Sequence, residues 1–326
     1  MYSTELDFAV SVVSEAAGLA RRVQRDIVAN GQSLIKDDRS PVTVADLAIQ
    51  CLVSERLAER FPADLLLAEE ESGTLSRRPD IASRIIDVLA RAGLSLDGAG
   101  IERALDRGAS RSGSVGRCWV LDPIDGTKGF LRGDQYAVAL ALLVDGRVEV
   151  ATLGCPNLPR PDLSSGDVGC VFAAERGRGS TVTDLEGTPP SPIRVEGIDD
   201  PSRGAVCESV EAAHAAHSEQ ARIARLLGIE RDPVRIDSQC KYAIVARGEA
   251  SIYLRFPRRR DYREKVWDHA AGSLVVEEAG GRVTDLDGRP LDFASGRLLG
   301  PHHGIVATNG RIHYRVLEAC REVMDT

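Results

Sequence analysis

The chain has 326 residues, of which 43% are hydrophobic and 28% are charged, so it can bury a core large enough for one large domain or two smaller ones. Lysine and arginine total 41 against 49 aspartate and glutamate, and this net charge of −8 argues against general nucleic-acid binding. The longest apolar run, 136–144, has nine residues, whereas a membrane-spanning helix needs about 20. We therefore expect neither a nucleic-acid partner nor a membrane partner.

The N-terminal segment and the cysteines both indicate a protein of a reducing compartment. The N-terminus has no basic segment followed by an apolar one, so a cleaved secretory signal is not expected. The seven cysteines are odd in number and widely spaced, and no C-x-x-C motif occurs. Both features are typical of a cytoplasmic protein in which cysteine serves as a small apolar residue.

The first half of the chain is predicted to begin with helices and to end in a β-hairpin. Apolar residues recur every three or four positions over 6–27, which predicts an amphipathic helix stopped by Asn30-Gly31. A second helix is predicted to start after Thr43 and a third to cover 81–92. Strands are predicted at 65–67 and 118–121, and Asp145-Gly146 supplies the turn of a hairpin over 136–153.

The second half is predicted to alternate strands and helices. The proline-rich segment 155–161 is interpreted as a boundary between an α+β N-terminal domain, 1–156, and an α/β C-terminal domain, 157–326. Beyond it, strands are predicted near Val234, at 252–254 and at 304–308. Helices are predicted near Ala243, after Trp267 and from Ile312.

The most distinctive segment is W-V-L-D-P-I-D-G-T-K-G-F at 119–130. A strand delivers Asp122, Pro123 stiffens its exit and Gly126 permits a tight turn, so Asp122 and Asp125 can face one point. Two carboxylates at a strand end suit Mg²⁺, and the backbone N–H groups from Gly126 onward suit a phosphate. The alternative interpretation is a solvated Asp-Pro-x-Asp-Gly turn.

Further acidic candidates for the same site are Asp46, Glu69, Glu70 and Asp268. Each of them also has an ordinary structural interpretation. The glutamates follow the predicted strand 65–67, and the alternative to a role in the site is a solvated acidic loop. Asp46 lies three residues after Thr43, and the alternative interpretation is that the two residues form a capping box. Asp268 lies at the start of a predicted helix and otherwise stabilises the helix dipole. The neighbouring His269 is interpreted as structural.

Taken together, these segments resemble the inositol-monophosphatase superfamily of metal-dependent, lithium-sensitive phosphatases. The shared pattern is an acidic pair after a strand, then D-P-I-D-G-T at 122–127, then W-D-x-x-A-G at 267–272. The resemblance implies a layered αβαβα sandwich of mixed α+β and α/β character. K-G-F at 128–130 and the segments 154–159, 237–242 and 253–272 resemble one branch, the 3′(2′),5′-bisphosphate nucleotidases. Only 72–117 and 157–203 carry no distinctive motif.

The resemblance implies a site with two or three Mg²⁺ ions that Li⁺ or Na⁺ inhibits. The implied metal ligands are Glu69, Asp122, the main-chain carbonyl of Ile124, Asp125 and Asp268. Glu69, Asp122 and the Ile124 carbonyl would hold one ion. Asp122, Asp125 and Asp268 would hold the second, so that Asp122 would bridge the two ions. A third, weaker ion is implied near Glu69 and Asp46, and Glu70 would support the site from behind the ligands.

The resemblance also implies a catalytic pair and a set of substrate-binding residues. Thr127, oriented by Asp46, would accept a proton from the attacking water and pass it to the carboxylate. The implied substrate-binding residues are Thr127, His214, Ser238, Lys241 and Arg255. Lys241 and Arg255 suit a 5′-phosphate chemically. An exposed helix lysine and an ordinary surface histidine are the alternatives for Lys241 and His214.

The function implied is removal of the 3′-phosphate from 3′-phosphoadenosine 5′-phosphate, giving AMP and phosphate, with 3′-phosphoadenosine 5′-phosphosulfate as a second substrate. A phosphatase of the same fold acting on inositol phosphates is the first alternative. A non-catalytic nucleotide-binding sensor is the second, and the presence of all the catalytic and metal-binding positions argues against it. The motifs indicate no particular oligomeric state.

Overall fold

The computed structural model describes residues 1–29, 40–73, 79–110, 115–160, 168–210, 214–257 and 262–324. These residues form nine α-helices and twelve β-strands. The helices are α1 (Ser3–Ala29), α2 (Ser40–Arg60), α3 (Pro79–Arg91), α4 (Gly98–Arg107), α5 (Thr127–Arg132), α6 (His214–Leu226), α7 (Cys240–Ala246), α8 (Ala270–Glu278) and α9 (His313–Met324). The strands are β1 (Leu65–Ala68), β2 (Arg117–Asp125), β3 (Ala137–Val144), β4 (Arg147–Pro159), β5 (Val168–Glu175), β6 (Gly179–Asp184), β7 (Ser191–Ile193), β8 (Val206–Glu208), β9 (Val234–Arg235), β10 (Ile252–Arg255), β11 (Arg282–Thr284) and β12 (Ile305–Thr308).

Seven strands form a large sheet in the sequential order β1 to β7. β1 and β2 are parallel, with Ala68 opposite Leu121, and the other neighbouring pairs are antiparallel. The remaining strands form a smaller mixed sheet in the order β11-β12-β10-β8-β9. In that sheet β8 is parallel to both of its neighbours, whereas β12 is antiparallel to both of its own.

The two sheets alternate with three layers of helices. α1 and α2 pack on one face of the large sheet, while α7 and α8 lie between the large sheet and the small one. α9 packs against β12 and against α6 on the far side of the small sheet. One apolar cluster lies under α1 and α2, another surrounds α7 and α8, and a third lies beneath α6 and α9. The predicted αβαβα sandwich is confirmed.

β3 shows why the longest apolar run of the sequence is a strand. Val138 and Leu140 pack into the cluster under α1 and α2, whereas Ala139 and Ala141 pack into the cluster around α7 and α8. A strand covered on both faces has no solvent side, so its sequence lacks polar alternation. The predicted hairpin with β4 is confirmed, and Asp145 (φ 49°) and Gly146 (φ 77°) form its turn with positive φ.

Two predictions need correction or refinement. α2 begins at Ser40, before Thr43, so Thr43 lies inside the helix and the capping-box interpretation of Asp46 is wrong. The proline-rich segment continues β4 as far as Pro159, and β5 pairs with β4, so the large sheet takes strands from both sides of residue 156. A domain boundary at 156/157 stays a prediction, and it does not coincide with a break in the sheet.

Other features bear on the composition arguments. All seven cysteines are buried and unpaired, as expected for small apolar residues. Among the described residues, none of the helices combines the length and apolarity that a bilayer crossing needs. Asn30-Gly31, the predicted stop of the first helix, lies outside the described residues; α1 is described up to Ala29.

Candidate active site

Acidic side chains gather at the edge of the large sheet where β1 and β2 end. Because the two strands are parallel and in register, their carboxyl ends lie side by side. Glu69 and Glu70 directly follow β1, and Asp122 and Asp125 lie in the last residues of β2. The predicted convergence of the acidic pair and the D-P-I-D segment therefore follows from strand pairing.

A register shift bends the end of β2. The pairing with β3 shifts between Asp122 and Asp125, which leaves Pro123 and Ile124 between two register pairs. Asp122 is only 2% exposed, and its Oδ1 atom is buried without a hydrogen-bond partner in the described structure. A buried carboxylate oxygen without a partner is energetically costly, and a bound cation would satisfy it.

α2 contributes Asp46 and Gln50 to the same edge. Asp46 lies in the second turn of the helix and is buried. One turn later, the Gln50 side chain accepts a hydrogen bond from the Glu70 N–H (3.0 Å) and donates one to the Glu70 carbonyl (2.8 Å). These two bonds fix the chain after β1 against α2, and this brings Glu69 and Glu70 close to Asp46.

Burial and mutual repulsion raise the pKa values of these carboxyls. Burial raises the pKa of Asp46 well above its usual range, and the charges of Glu70 and Glu69 raise it further. Burial likewise raises the pKa of Asp122, followed by repulsion from Glu69, Asp125 and other acids. Such groups resist ionisation together unless a cation compensates them.

Two carboxyls closer to solvent show the same effect. Partial burial, followed by repulsion from Glu70 and Asp268, raises the pKa of Glu69 to about 7, although a hydrogen bond with Asp122 opposes the rise. Burial and then Asp268 raise the pKa of Asp125 to about 6, against the opposing influence of nearby cations and a backbone N–H. The acidic edge is therefore built to hold positive charge.

Lys241 lies on the opposite side, in the first turn of α7. It is 6% exposed, and burial lowers the pKa of its ammonium group. Its Nζ donates to Ser209 Oγ (3.3 Å) and to the Ile236 carbonyl (3.4 Å), and it lies 5.5 Å from the centre of the Tyr253 ring. All of these partners are neutral, so the ammonium keeps its attraction for an anion.

Arg255, at the end of β10, forms a bridge between two carboxylates. Its Nε and Nη2 atoms bind Glu264 at 2.9 and 2.7 Å, and Nη2 also donates to Asp268 Oδ2 at 3.2 Å. Asp268 ends a short 3-10 turn, Val266–Asp268, that precedes α8. Arg255 therefore connects the predicted substrate side of the site to a predicted metal ligand.

Gln239 joins the two sides of the site. Its backbone N–H donates to Asp125 Oδ2, and its side chain donates to the Trp267 carbonyl (2.9 Å) and accepts from the Gly272 N–H (3.0 Å). Gly272 also permits a close approach of helices, since a Cβ there would lie 2.2 Å from Tyr242 Cδ2. β2, α7 and α8 are thereby fixed relative to one another.

Thr127 is the first residue of α5 and is exposed. The turn before it depends on Gly126, which has φ 94°, a conformation that favours glycine. A Cβ on Gly126 would also lie 2.8 Å from Ser238 Cβ. The tight turn therefore lets the Ser238 loop approach the start of α5.

A cavity of about 320 Å³ is lined by both acidic and basic residues of the site. Its lining residues are Asp125, Gly126, Thr127, Lys128, Gly129, Arg132, Ser209, Asp237, Ser238, Gln239, Lys241, Tyr253, Arg255 and Asp268. The volume lies within the range of small-molecule sites. The cavity brings together six of the residues selected from the sequence.

The other predicted site residues are placed differently. Asp46, Glu69, Asp122 and Ile124 are not among the residues that line the cavity. His214 is the first residue of α6, and its side chain lies outside the described residues. Lys241 is buried, so its interpretation as an exposed helix lysine is wrong.

The most compact group of potential metal ligands differs from the predicted set of metal ligands. Within the described ranges, the potential ligand atoms that all lie within 4.8 Å of one another belong to Glu264, Asp268 and His269. Arg255 already binds the first two of these residues. His269 is fully buried, and its Nδ1 lies 2.8 Å from the Tyr242 hydroxyl, which agrees with a structural role.

Several residues of the site escaped sequence reasoning: Gln50, Arg132, Ser209, Asp237, Gln239, Tyr253 and Glu264. Their partners are distant in sequence, as in the Arg132–Asp237 ion pair that joins α5 to the loop before α7. Asp237 also accepts a hydrogen bond from the Val210 N–H at 3.1 Å. The resembling segments 237–242 and 253–272 include Asp237, Gln239, Tyr253 and Glu264, but the resemblance assigns none of them a role.

Comparison with curated proteins shows close relatives along the whole chain. A 3′(2′),5′-bisphosphate nucleotidase of Oryza sativa is 46% identical over 342 residues, which cover 99% of this chain and 95% of the relative. The 3′(2′),5′-bisphosphate nucleotidase 1 of Candida albicans is 40% identical over 350 residues, with 99% and 96% covered.

Solved structures show the same fold at lower identity. The inositol monophosphatase of Anabaena matches with a TM-score of 0.62 and 23% identity, covering 98% of this chain and 96% of that one. Mycobacterium tuberculosis SuhB matches with a TM-score of 0.62 and 24% identity, covering 98% and 97%. The model of the inositol monophosphatase family matches residues 1–325, and the chain therefore belongs to that family.

Proposed function

We propose that this chain is a Mg²⁺-dependent 3′(2′),5′-bisphosphate nucleotidase that converts 3′-phosphoadenosine 5′-phosphate to AMP and phosphate. 3′-Phosphoadenosine 5′-phosphosulfate is the second proposed substrate, giving adenosine 5′-phosphosulfate. The observation that carries the proposal is one cavity lined both by the acidic residues Asp125 and Asp268 and by the basic residues Lys241 and Arg255. A bisphosphate offers one phosphate to each side. The names of relatives at 40–46% identity support the same substrate class.

The acidic edge fits Mg²⁺ in its donor chemistry. Every proposed ligand is a carboxylate or carbonyl oxygen, the donor type that Mg²⁺ prefers. The unpartnered buried Oδ1 of Asp122 is the most direct observation, because it lacks the positive partner that a buried carboxylate requires. We propose Glu69, Asp122, the Ile124 carbonyl, Asp125 and Asp268 as the residues that hold two ions, with a third, weaker ion near Glu69 and Asp46. Bound Mg²⁺ neutralises phosphate charge and lowers the pKa of water.

The proposed proton path uses two residues of the chain. Thr127 lines the cavity, and α5, which it begins, packs against α2, which carries Asp46. In the proposed step the Thr127 hydroxyl orients the attacking water, accepts its proton and passes its own proton to Asp46. The water oxygen bonds to phosphorus as the bond from phosphorus to the 3′-oxygen breaks, and the leaving 3′-oxygen takes a proton from solvent to give AMP. The raised pKa of Asp46 suits a carboxylate that receives a proton near neutral pH. Glu70, fixed by Gln50, is proposed to support Asp46 and Glu69 from behind.

The proposed nucleotide contacts come from the smaller sheet and α7. Lys241 and Arg255 are assigned to the 5′-phosphate, with Ser238 and Thr127 as neutral hydrogen-bonding groups. Ser238 has φ 67°, and its Oγ accepts a hydrogen bond from the Cys240 N–H at 3.2 Å, so the loop that carries it is closely defined. His214 is proposed as a fifth contact on the basis of the family resemblance alone.

A substrate panel tests the proposed function. Phosphate release is measured with Mg²⁺ on adenosine 3′,5′-bisphosphate, its 5′-phosphosulfate analogue, inositol 1-phosphate and inositol 1,4-bisphosphate. We expect the adenosine bisphosphate to have the highest kcat/KM, with activity lost in EDTA and reduced by Li⁺ or Na⁺. A preference for inositol 1-phosphate would contradict the nucleotidase assignment. Nucleotide binding without Mg²⁺-dependent turnover of any substrate would indicate a sensor.

A further inference from the structure

Glu264 is a buried carboxylate that no part of the proposed mechanism uses. It is 2% exposed and lies on the segment that returns from β10 towards the 3-10 turn before α8. Its backbone carbonyl accepts the Leu299 N–H at 2.9 Å, and the next residue, Lys265, forms an isolated bridge with Leu298. The position of Glu264 is therefore fixed by backbone contacts that do not involve the cavity.

The side chain of Glu264 binds Arg255 at two points. Oε1 accepts a hydrogen bond from Nε at 2.9 Å, and Oε2 forms an ion-pair contact with Nη2 at 2.7 Å without hydrogen-bond geometry. Oε2 also lies 3.5 Å from His269 Nε2. One hydrogen bond together with a close ion-pair contact restrains the guanidinium group more than a single contact would. Since the Arg255 side chain is partly exposed and lines the cavity, Glu264 sets the orientation in which Arg255 meets a ligand.

A second carboxylate competes for the same guanidinium. Nη2 of Arg255 lies 3.2 Å from Asp268 Oδ2, and Asp268 is a proposed metal ligand. With Glu264 in place, the shorter contacts go to Glu264, and Asp268 receives one longer contact. Without the Glu264 charge, Arg255 would turn towards Asp268, away from its position for the nucleotide.

We propose that Glu264 is a positioning residue for nucleotide binding, which holds the Arg255 guanidinium in the orientation that binds the second phosphate of the substrate. This inference rests on the proposed function, because it assigns Arg255 to that phosphate. It differs from a purely structural role in one respect: the effect of Glu264 on catalysis acts through Arg255.

A double-mutant cycle tests the proposal. Glu264→Gln, Arg255→Gln and the double variant are compared with the wild-type chain in saturating Mg²⁺, with adenosine 3′,5′-bisphosphate as substrate. Glu264→Gln is expected to raise KM on the order of tenfold, the size of a lost charge-assisted hydrogen bond, with a much smaller change in kcat. In the Arg255→Gln background the same change should have little further effect on KM. Glu264→Asp, which keeps the charge, should recover part of the lost affinity.

The control is Glu149→Gln, because Glu149 is also buried and paired with an arginine, Arg147, at the opposite end of the large sheet from Asp122. It should leave KM unchanged. An unchanged KM in Glu264→Gln, or a full KM effect that persists in the Arg255→Gln background, would overturn the proposal. A fall in kcat together with the melting temperature, without a KM change, would overturn it as well. If the wild-type chain itself does not turn over the bisphosphate, the proposed function fails, and this inference fails with it.

Discussion

The two sides of the cavity handle buried charge in opposite ways. On the acidic side, burial and repulsion from neighbouring carboxylates raise the pKa values of Asp46, Asp122 and Glu69, and one oxygen of Asp122 has no hydrogen-bond partner in the described structure. On the basic side, Arg255 is bound by Glu264, and Lys241 rests on hydroxyl, carbonyl and aromatic groups. The acidic side is incomplete without an added cation, whereas the basic side is complete within the protein.

This difference changes the meaning of the net charge. A balance of −8 suggests a poor partner for a phosphate ligand. The structure shows instead that part of the negative charge is concentrated at one edge, where Mg²⁺ would reverse the local sign. We therefore expect phosphate binding at the acidic side to require Mg²⁺, and binding at Lys241 and Arg255 to depend on it much less.

The largest effect is expected from Asp46→Asn, which breaks the acidic side at the proposed proton acceptor. Loss of a general base lowers kcat by about 10²–10⁴-fold. The affinity for the nucleotide, measured by equilibrium binding, should stay nearly unchanged because the basic side is intact. Asp184→Asn is the matched control, since Asp184 is equally buried and lies on β6, four strands from β2. Turnover that survives in Asp46→Asn would contradict the assigned role.

A smaller effect is expected from Lys241→Met on the basic side, and it should appear in KM rather than in kcat. The variant removes the charge and keeps the length, so KM for adenosine 3′,5′-bisphosphate should rise by about ten- to a hundredfold. Burial lowers the pKa of Lys241, which means that the folded state disfavours its charge. The melting temperature of the variant should therefore equal or exceed that of the wild-type chain. A lower melting temperature with unchanged KM would show that Lys241 is structural.

The smallest effect concerns stability without Mg²⁺. Carboxyls in the unfolded chain lose their protons near pH 4, while Asp125 and Glu69 in the folded chain keep theirs to about pH 6 and about pH 7. Between pH 4 and 7 the folded state binds more protons, so its stability falls as pH rises through this window. Melting temperature in EDTA should fall accordingly.

Added Mg²⁺ should reverse this loss, because a ligand that binds only the folded state stabilises it. The increase in melting temperature should be larger at pH 8, where the carboxylates are ionised, than at pH 5. Equal increases at both pH values, or a metal-free melting temperature that rises from pH 5 to 7, would contradict the raised pKa values. Calorimetry at matched ionic strength provides the measurement.

Much of the fold could be predicted because the relevant signals are local. The apolar run of β3, the Asp145-Gly146 turn and the helical spacing of α1 each lie within one short segment. The predicted start of α2, after Thr43, is wrong, because the helix begins at Ser40 with Pro41 in its first turn, where proline is favoured. Strand order beyond the hairpin depends on contacts between distant segments, which no short pattern encodes.

The residues of the candidate site likewise fall into those that a local motif predicts and those that it does not. Asp122 and Asp125 belong to a motif, so their position at a strand end follows from the sequence. Gln239 and Glu264 do not, because their importance lies in partners as far away as Asp125, 114 residues before Gln239. Sequence reasoning finds groups that perform chemistry more readily than groups that hold them in place, since the latter are defined by contacts across the fold.

The close contact at Gly272 has a consequence for substrate range. Because Gly272 has no side chain, the Tyr242 side chain of α7 packs directly against α8, and this contact helps to fix Asp268, before α8, relative to Lys241, on α7. Under the proposed function, Asp268 serves one phosphate of the ligand and Lys241 the other, so this packing would bear on the spacing between the two phosphates. Any larger residue at position 272 would clash with Tyr242 and force α7 and α8 to move relative to each other. A glycine in the helix packing would thus contribute to substrate selection without contacting the substrate.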